Sequence, residues 1–210
     1  MKRIALITVL ALCVSMLFSC SVSPLIAGKN GPLKDFIADV KDNKNYSMVI
    51  TEERIEIYYL GMFKIVRTIN IKIDGNVKYI ADTETNSIKY IEYAQDSTCN
   101  HNRRFIYTKE ARGWKKTIEE NEESFEDALD QHYINNLLVF DNFKKKDGLY
   151  VSDVDVFYHD DYKTCNVIID TEKKEMTAEM IGENEYGLEL KRTIRISNIG
   201  TTTLDKPYKP

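Results

Sequence analysis

The sequence lacks every common catalytic signature. Its 210 residues hold no Gly-x-Ser-x-Gly, no His-Glu-x-x-His and no glycine-rich phosphate loop, and its three histidines, His101, His132 and His159, are scattered. The nucleophile-elbow, zinc-peptidase and phosphate-loop chemistries are therefore set aside, and the chain is read as non-enzymatic, with no cofactor and no metal. Clustered positive charge is lacking too: 29 Lys and Arg stand against 33 Asp and Glu, for a net charge of −4. Nucleic-acid binding draws on counterion release by grouped cations, so a nucleic-acid partner is excluded. Lys144-Lys145-Lys146 is the exception, read as the last turn of a helix, where cations suit the dipole. Nor is any apolar run long enough to span a bilayer. The longest covers residues 4–18, whereas a spanning helix needs about 20.

That run is informative in another way. Met1, Lys2 and Arg3 make a basic start, the apolar stretch follows, and small residues close it, which is the pattern of a secretory signal peptide. It ends in Leu17-Phe18-Ser19-Cys20, which resembles a bacterial lipobox. The resemblance implies that the Cys20 thiol receives a diacylglycerol, that residues 1–19 are removed, and that Cys20 becomes an acylated (typically palmitoylated) N-terminus. A thiol is a strong nucleophile for forming the thioether, and each buried lipid methylene contributes about 0.8 kcal/mol, so several chains hold a protein at a membrane. The implied location is the cell envelope, outside the cytoplasm. Residues 20–31, rich in Ser, Pro, Gly, Lys and Asn, read as a tether.

Removing the signal leaves 191 residues with a net charge of −6, which suits one domain over residues 32–210. Cys13 leaves with the signal. Cys99 and Cys165 remain, each in a Thr-Cys-Asn tripeptide. In an oxidising compartment they are a disulfide candidate that would stabilise by about 4 kcal/mol; two separate thiols are the other reading.

Along the domain, Leu33, Phe36, Ile37 and Val40 form a helical stripe over residues 32–41. Alternating segments at 48–59, 65–73, 77–81, 87–93, 104–109 and 113–116 predict strands, with a turn at Asp74-Gly75-Asn76. Phe125, Leu129, Tyr133, Leu137 and Phe140 predict a second helix within 119–142, capped by Ser124 and stopped by Gly148. Strands resume at 149–156, 164–170, 175–181 and 188–196. The predicted fold class is α+β: a highly curved antiparallel sheet, an open half-barrel, with two helices against its concave face. This order, the Trp114-Lys115-Lys116 strand before the mid-chain helix and the closing IGTTTLDKP resemble the LolA-like lipoproteins, including the mycobacterial lipid carriers of the LppX and LprG kind. The resemblance implies a hydrophobic cavity that takes acyl chains, and hence a lipid ligand.

Several clusters have a plain reading. His159-Asp160-Asp161 reads as a polar hairpin tip rather than a metal site. Glu119, Glu120, Glu122, Glu123, Glu126, Asp127 and Asp130 lack EF-hand spacing and read as a solvated loop and helix start. Arg67 and Arg192 share the parity of the apolar residues around them. Either a bulge or a rim ion pair accommodates each, or both face the head group of an acidic ligand. The aromatic set Phe36, Tyr59, Phe63, Tyr79, Tyr90, Phe105, Phe125, Tyr133 and Phe140 fits a core or a pocket. Candidate ligand-binding residues are thus Arg67, Arg192, Tyr79, Phe125, Tyr133 and Phe140. Two functions follow, a carrier of lipid or another apolar ligand and an envelope interaction module. A large apolar cavity favours the first and an exposed apolar patch the second.

Overall fold

The structure, a computed structural model, describes residues 31–95, 102–121, 131–152 and 162–205. Residues 33–210 make up one compact unit. Helix α1 (Gly31–Asn43) leads into β1 (Asn45–Tyr58), β2 (Gly61–Asp74), β3 (Val77–Asp82), β4 (Ser87–Gln95), β5 (Asn102–Glu110) and β6 (Gly113–Asn121). Helix α2 (Gln131–Leu137) and a single 3-10 turn (Phe140–Asn142) come next. Strands β7 (Phe143–Lys146), β8 (Leu149–Ser152), β9 (Tyr162–Asp170), β10 (Glu175–Glu183) and β11 (Glu189–Ser197) complete the described elements.

All eleven strands belong to one sheet in the order β6-β5-β4-β3-β2-β1-β11-β10-β9-β8-β7. Two antiparallel meanders meet where β1 pairs with β11, Met48 opposite Ile196 and Ile50 opposite Ile194. The α+β half-barrel with two helices on a concave face is therefore corrected to a sheet-dominated architecture. The sheet does not close, and the described helices have only 13 and 7 residues.

The reason lies in residues 119–148. Glu119 and Glu120 lie on β6 opposite Arg104 and Arg103, not at a helix start. Lys144, Lys145 and Lys146 lie on β7, not in a last helical turn. Gly148 ends no helix; with Asp147 it forms the hairpin turn between β7 and β8, at φ 85° and 51°. Asp-Gly between short strands is a hairpin signal, and it follows the helical stripe, of which Tyr133 and Leu137 lie on α2. Ser124, Phe125 and Leu129 fall outside the described residues, as do Cys20, Cys99, His101 and the His159-Asp160-Asp161 run.

One face of the sheet carries the main core. Tyr46 and Met48 of β1, Ile71 and Ile73 of β2, Ile194 and Ile196 of β11, and Val167, Ile169, Met176 and Met180 of β9 and β10 are buried there. Leu33, Phe36 and Val40 of α1 and Ile134 and Leu137 of α2 join the same cluster. Each such side chain contributes about 1.5–3 kcal/mol by leaving water. Adjacent strand residues point to opposite faces, so Tyr90, next to Ile91, belongs to a smaller cluster behind, with Val77 and Tyr107.

Asn45 ties the chain end to the start of β1. Its side-chain amide donates to Asp74 Oδ1 at 2.8 Å and to the Thr202 carbonyl at 2.9 Å, while its Oδ1 accepts from the Thr202 N–H at 2.8 Å. Its backbone carbonyl accepts from the Gly200 N–H at 2.8 Å. Asn45→Ala removes the three side-chain bonds and leaves the Thr202 N–H without that acceptor. A loss of about 1–3 kcal/mol is expected in urea or thermal unfolding; unchanged stability would show that the strap adds nothing.

Candidate functional site

Strands β1 and β2 continue past the core. On β1 the core-facing residues run Tyr46, Met48, Ile50, then Glu52, Arg54, Glu56 and Tyr58, and the register is unbroken throughout. Opposite them stand Ile73, Ile71, Ile69, then Arg67, Ile65, Phe63 and Gly61. The same face thus passes from dry core through a charged belt to an apolar tip.

Arg67 and Arg192 meet in that belt. Both are paired in register with Glu52, one on each side of β1. Arg192 Nη2 lies 2.6 Å from Glu52 Oε1, and Arg67 Nη1 lies 3.5 Å from Glu52 Oε2. Arg67 also grips Asp82 with two bonds, at 3.1 and 2.6 Å. The Arg192 guanidinium sits 5.1 Å from the Tyr162 ring centroid. No bulge turns either arginine away; the register shift in this half of the sheet lies at Ile181/Gly182, between β10 and β9. The rim ion pair is therefore what accommodates both guanidinium groups. Arg54 extends the belt, donating to Glu56 at 2.6 Å and to Glu84 at 2.6 Å. Lys64 Nζ lies 2.5 Å from Glu53.

The belt holds its charges firmly. The Arg67 guanidinium, against the cost of burial, keeps the Asp82 carboxyl far below the ordinary carboxylate range, helped by the Glu84 backbone N–H and Thr85. Glu84 and Glu56 hold the Arg54 guanidinium above its ordinary value. A carboxylate so depressed is a poor proton acceptor, and the arrangement suits structure and recognition better than acid–base chemistry.

The other sequence-derived candidates do not gather here. Tyr79 pairs across from Lys72 and Tyr90, on the opposite face from Arg67. Phe140 packs against the main core, with Lys34 Nζ 5.0 Å from its ring centroid. Cys165 is buried in that core on β9, opposite Met180. Phe125 lies outside the described residues, as does the side chain of Tyr133.

Beyond the belt lies what the sequence reading missed. Tyr59 and Leu60 form the turn between β1 and β2, and their exposures are 102% and 86%. Ile57, Tyr58, Met62 and Phe63 flank them and are exposed as well, so the ribbon is apolar on both faces. Tyr58 packs edge-on against Phe63 at 5.7 Å and donates its hydroxyl proton to Glu56. Turns normally take Gly, Asn, Asp, Pro or Ser, as the turns at Asp74-Gly75-Asn76 and Asp147-Gly148 do. Here only Gly61, at φ 133°, meets that need. The signal was present as IYYLGMF, an apolar run on both parities around one glycine, read as a strand running to residue 59. Tyr59 and Phe63 belong neither to core nor to an enclosed pocket.

Two clefts adjoin this hairpin. One of about 420 Å³ runs along the β1 edge, lined by Ile55, Ile57, Tyr58, Tyr186 and Leu188 with Glu56 and Asn184. Another of about 210 Å³ is charged, bordered by Glu52, Arg54, Lys191, Arg192 and Tyr162. The chain matches no family model and no curated protein.

Acid unfolding tests the belt. Asp82 is depressed in the folded state, so its stabilisation is complete above the ordinary carboxylate range and fades as pH falls through that range towards its folded value. Asp82→Asn should cost about 1–3 kcal/mol near pH 7, and the gap to wild type should narrow below about pH 4. Urea denaturation at several pH values measures it; a gap independent of pH would contradict the assignment.

Proposed function

We propose that this chain is a lipid-anchored envelope module outside the cytoplasm, without enzymatic activity, that docks onto an apolar surface through the β1–β2 hairpin tip. The observation carrying this reading is the tip itself. Six exposed apolar residues, Ile57 to Leu60 with Met62 and Phe63, stand out among the described residues, whose apolar side chains are otherwise mostly collected in two clusters. A contiguous exposed apolar patch of this kind marks an interaction site. The anchor rests on the sequence at Leu17-Phe18-Ser19-Cys20.

A second reading keeps an apolar ligand. The cleft beside the tip, about 420 Å³, falls in the volume range of small-molecule sites, and Ile55, Ile57, Tyr186 and Leu188 give it an apolar lining. Native mass spectrometry of protein purified from its own host checks this. A reproducible lipid-sized adduct supports it, and empty spectra count against it.

Two experiments test the main reading. Cys20→Ala should move the protein from the membrane fraction to the soluble one, and the wild-type N-terminal peptide should carry the mass of an acylated cysteine. A photo-crosslinking residue at Leu60 should form adducts in intact cells, whereas one at Glu172, in the β9–β10 turn, should not. Absence of adducts at both positions would remove the docking role. Tyr59→Ser/Leu60→Ser should shift folding stability by no more than about 0.5 kcal/mol, because both side chains are exposed.

A further inference from the structure

We infer that the surface met by the hairpin tip is the lipid bilayer itself, entered to interfacial depth; this rests on the docking role proposed above. Three properties of the tip select this occupant. The first is shape. Tyr58 and Phe63 lie on one face of the ribbon, Ile57 and Met62 on the other, and Tyr59 and Leu60 cap the end. A protein partner would need a deep groove to cover both faces, whereas a fluid bilayer closes around a wedge.

The second is depth. The pair Glu56–Phe63 is followed only by Ile57–Met62, Tyr58–Gly61 and the turn. At about 3.4 Å per residue the apolar part is roughly 10 Å long, close to the 5–10 Å to which interfacial elements sink. From Arg54, where β1 leaves β11, and from Ile69, where β2 leaves β3, both ribbon edges are open as far as the turn. Open edges do not enter the hydrocarbon core, which confines the tip to the interface. Tyrosine suits the level reached, with its ring in the apolar zone and its hydroxyl in the polar one.

The third is charge. The cations nearest the tip are engaged: Arg54 with Glu56 and Glu84, and Lys64 with Glu53. They mark the head-group level without providing a basic patch for anionic lipid. Attraction is therefore apolar and indifferent to salt. Its strength need only be modest: with the anchor proposed above at Cys20, contact with the same bilayer is made at high effective concentration. Tyr186, exposed on the β10–β11 turn at the same end of the strands, adds a second aromatic contact.

Tryptophan depth measurements test the inference. The full chain, purified with its anchor, is reconstituted into phosphatidylcholine vesicles. Trp114→Phe removes the one native tryptophan, and Leu60→Trp or Glu172→Trp places a reporter at the tip or at the opposite end of the strands. With ring-depth entry, Leu60→Trp should shift to the blue and lose about half or more of its emission to brominated phosphatidylcholine, while Glu172→Trp keeps nearly all of its own. Adding phosphatidylglycerol or salt should change neither. Equal quenching at both positions, or quenching only with anionic lipid, overturns the inference. If Trp114→Phe disturbs the fold, the reporters are read with Trp114 kept and its emission subtracted. The mass of the N-terminal peptide reports the anchor separately, so an unacylated Cys20 with a quenched Leu60→Trp would sink the anchor and leave the tip. Crosslinks from position 60 to protein alone, without quenching, would leave the docking role and remove the bilayer.

Discussion

Glu52 stands between two arginines on the same sheet face that, four residues earlier, holds buried Met48. That placement answers a problem of length. Helix α1 has 13 residues and covers about 20 Å. Strand β1 has 14 residues and runs for about 46 Å. A strand cannot change parity without a bulge, so residues beyond the helical cover keep pointing to the face that was core. They must be paired charges or exposed apolar groups, and this chain uses both in turn. Arg67 holds Asp82 with two bonds, and Asp82 is buried. The outer pair Arg54–Glu84, and Lys64–Glu53 on the opposite face of the ribbon, are more exposed and contribute less to stability.

The belt also separates two apolar surfaces. Were Glu52, Arg67 and Arg192 aliphatic, the core face would continue along β2 from Ile69 through Ile65 to Phe63, with only Arg54 and Glu56 of β1 interrupting it. Such a face would exceed what a monomer normally leaves uncovered, and the edges of β1 and β2 beyond the sheet would invite pairing with another chain. Replacing an ion pair with packed aliphatics is often neutral or stabilising in a closed interior. At the end of a core, the same replacement extends an exposed patch.

The sequence made much of this legible, but unevenly. The parity of Arg67 and Arg192 placed them on the core face, and the rim ion pair, one of the readings left open, is what the register bears out. The first helix was legible because Leu33, Phe36 and Val40 repeat at 3.6 residues and have a core to face. The second helix was legible in part: Tyr133 and Leu137 of its stripe lie on α2, whereas Glu119 and Glu120 lie on a strand and Lys144-Lys145-Lys146-Asp147-Gly148 carries a hairpin and not a helix end. Glu52 and Asp82 went unnoticed because a carboxylate in a strand signals nothing until the register shows which cation stands beside it. The tip was hidden for a related reason: Tyr59 and Leu60 have the composition of a strand and the position of a turn.

A two-stranded ribbon by itself is marginal in water, so the tip needs reasons to stay formed. Its root supplies them. Lys64 reaches diagonally across the ribbon to Glu53, Arg54 bridges Glu56 to Glu84 near the end of β3, and Tyr58 closes the row by packing on Phe63 and bonding to Glu56. Each contact crosses between strands or links neighbouring belt residues, and none extends past the turn. Order is therefore imposed from the charged belt outward, and Tyr59 and Leu60 stay exposed among the described residues. An exposed apolar pair held that way adds little to folding, so the order of the tip comes from the belt and not from Tyr59 and Leu60 themselves.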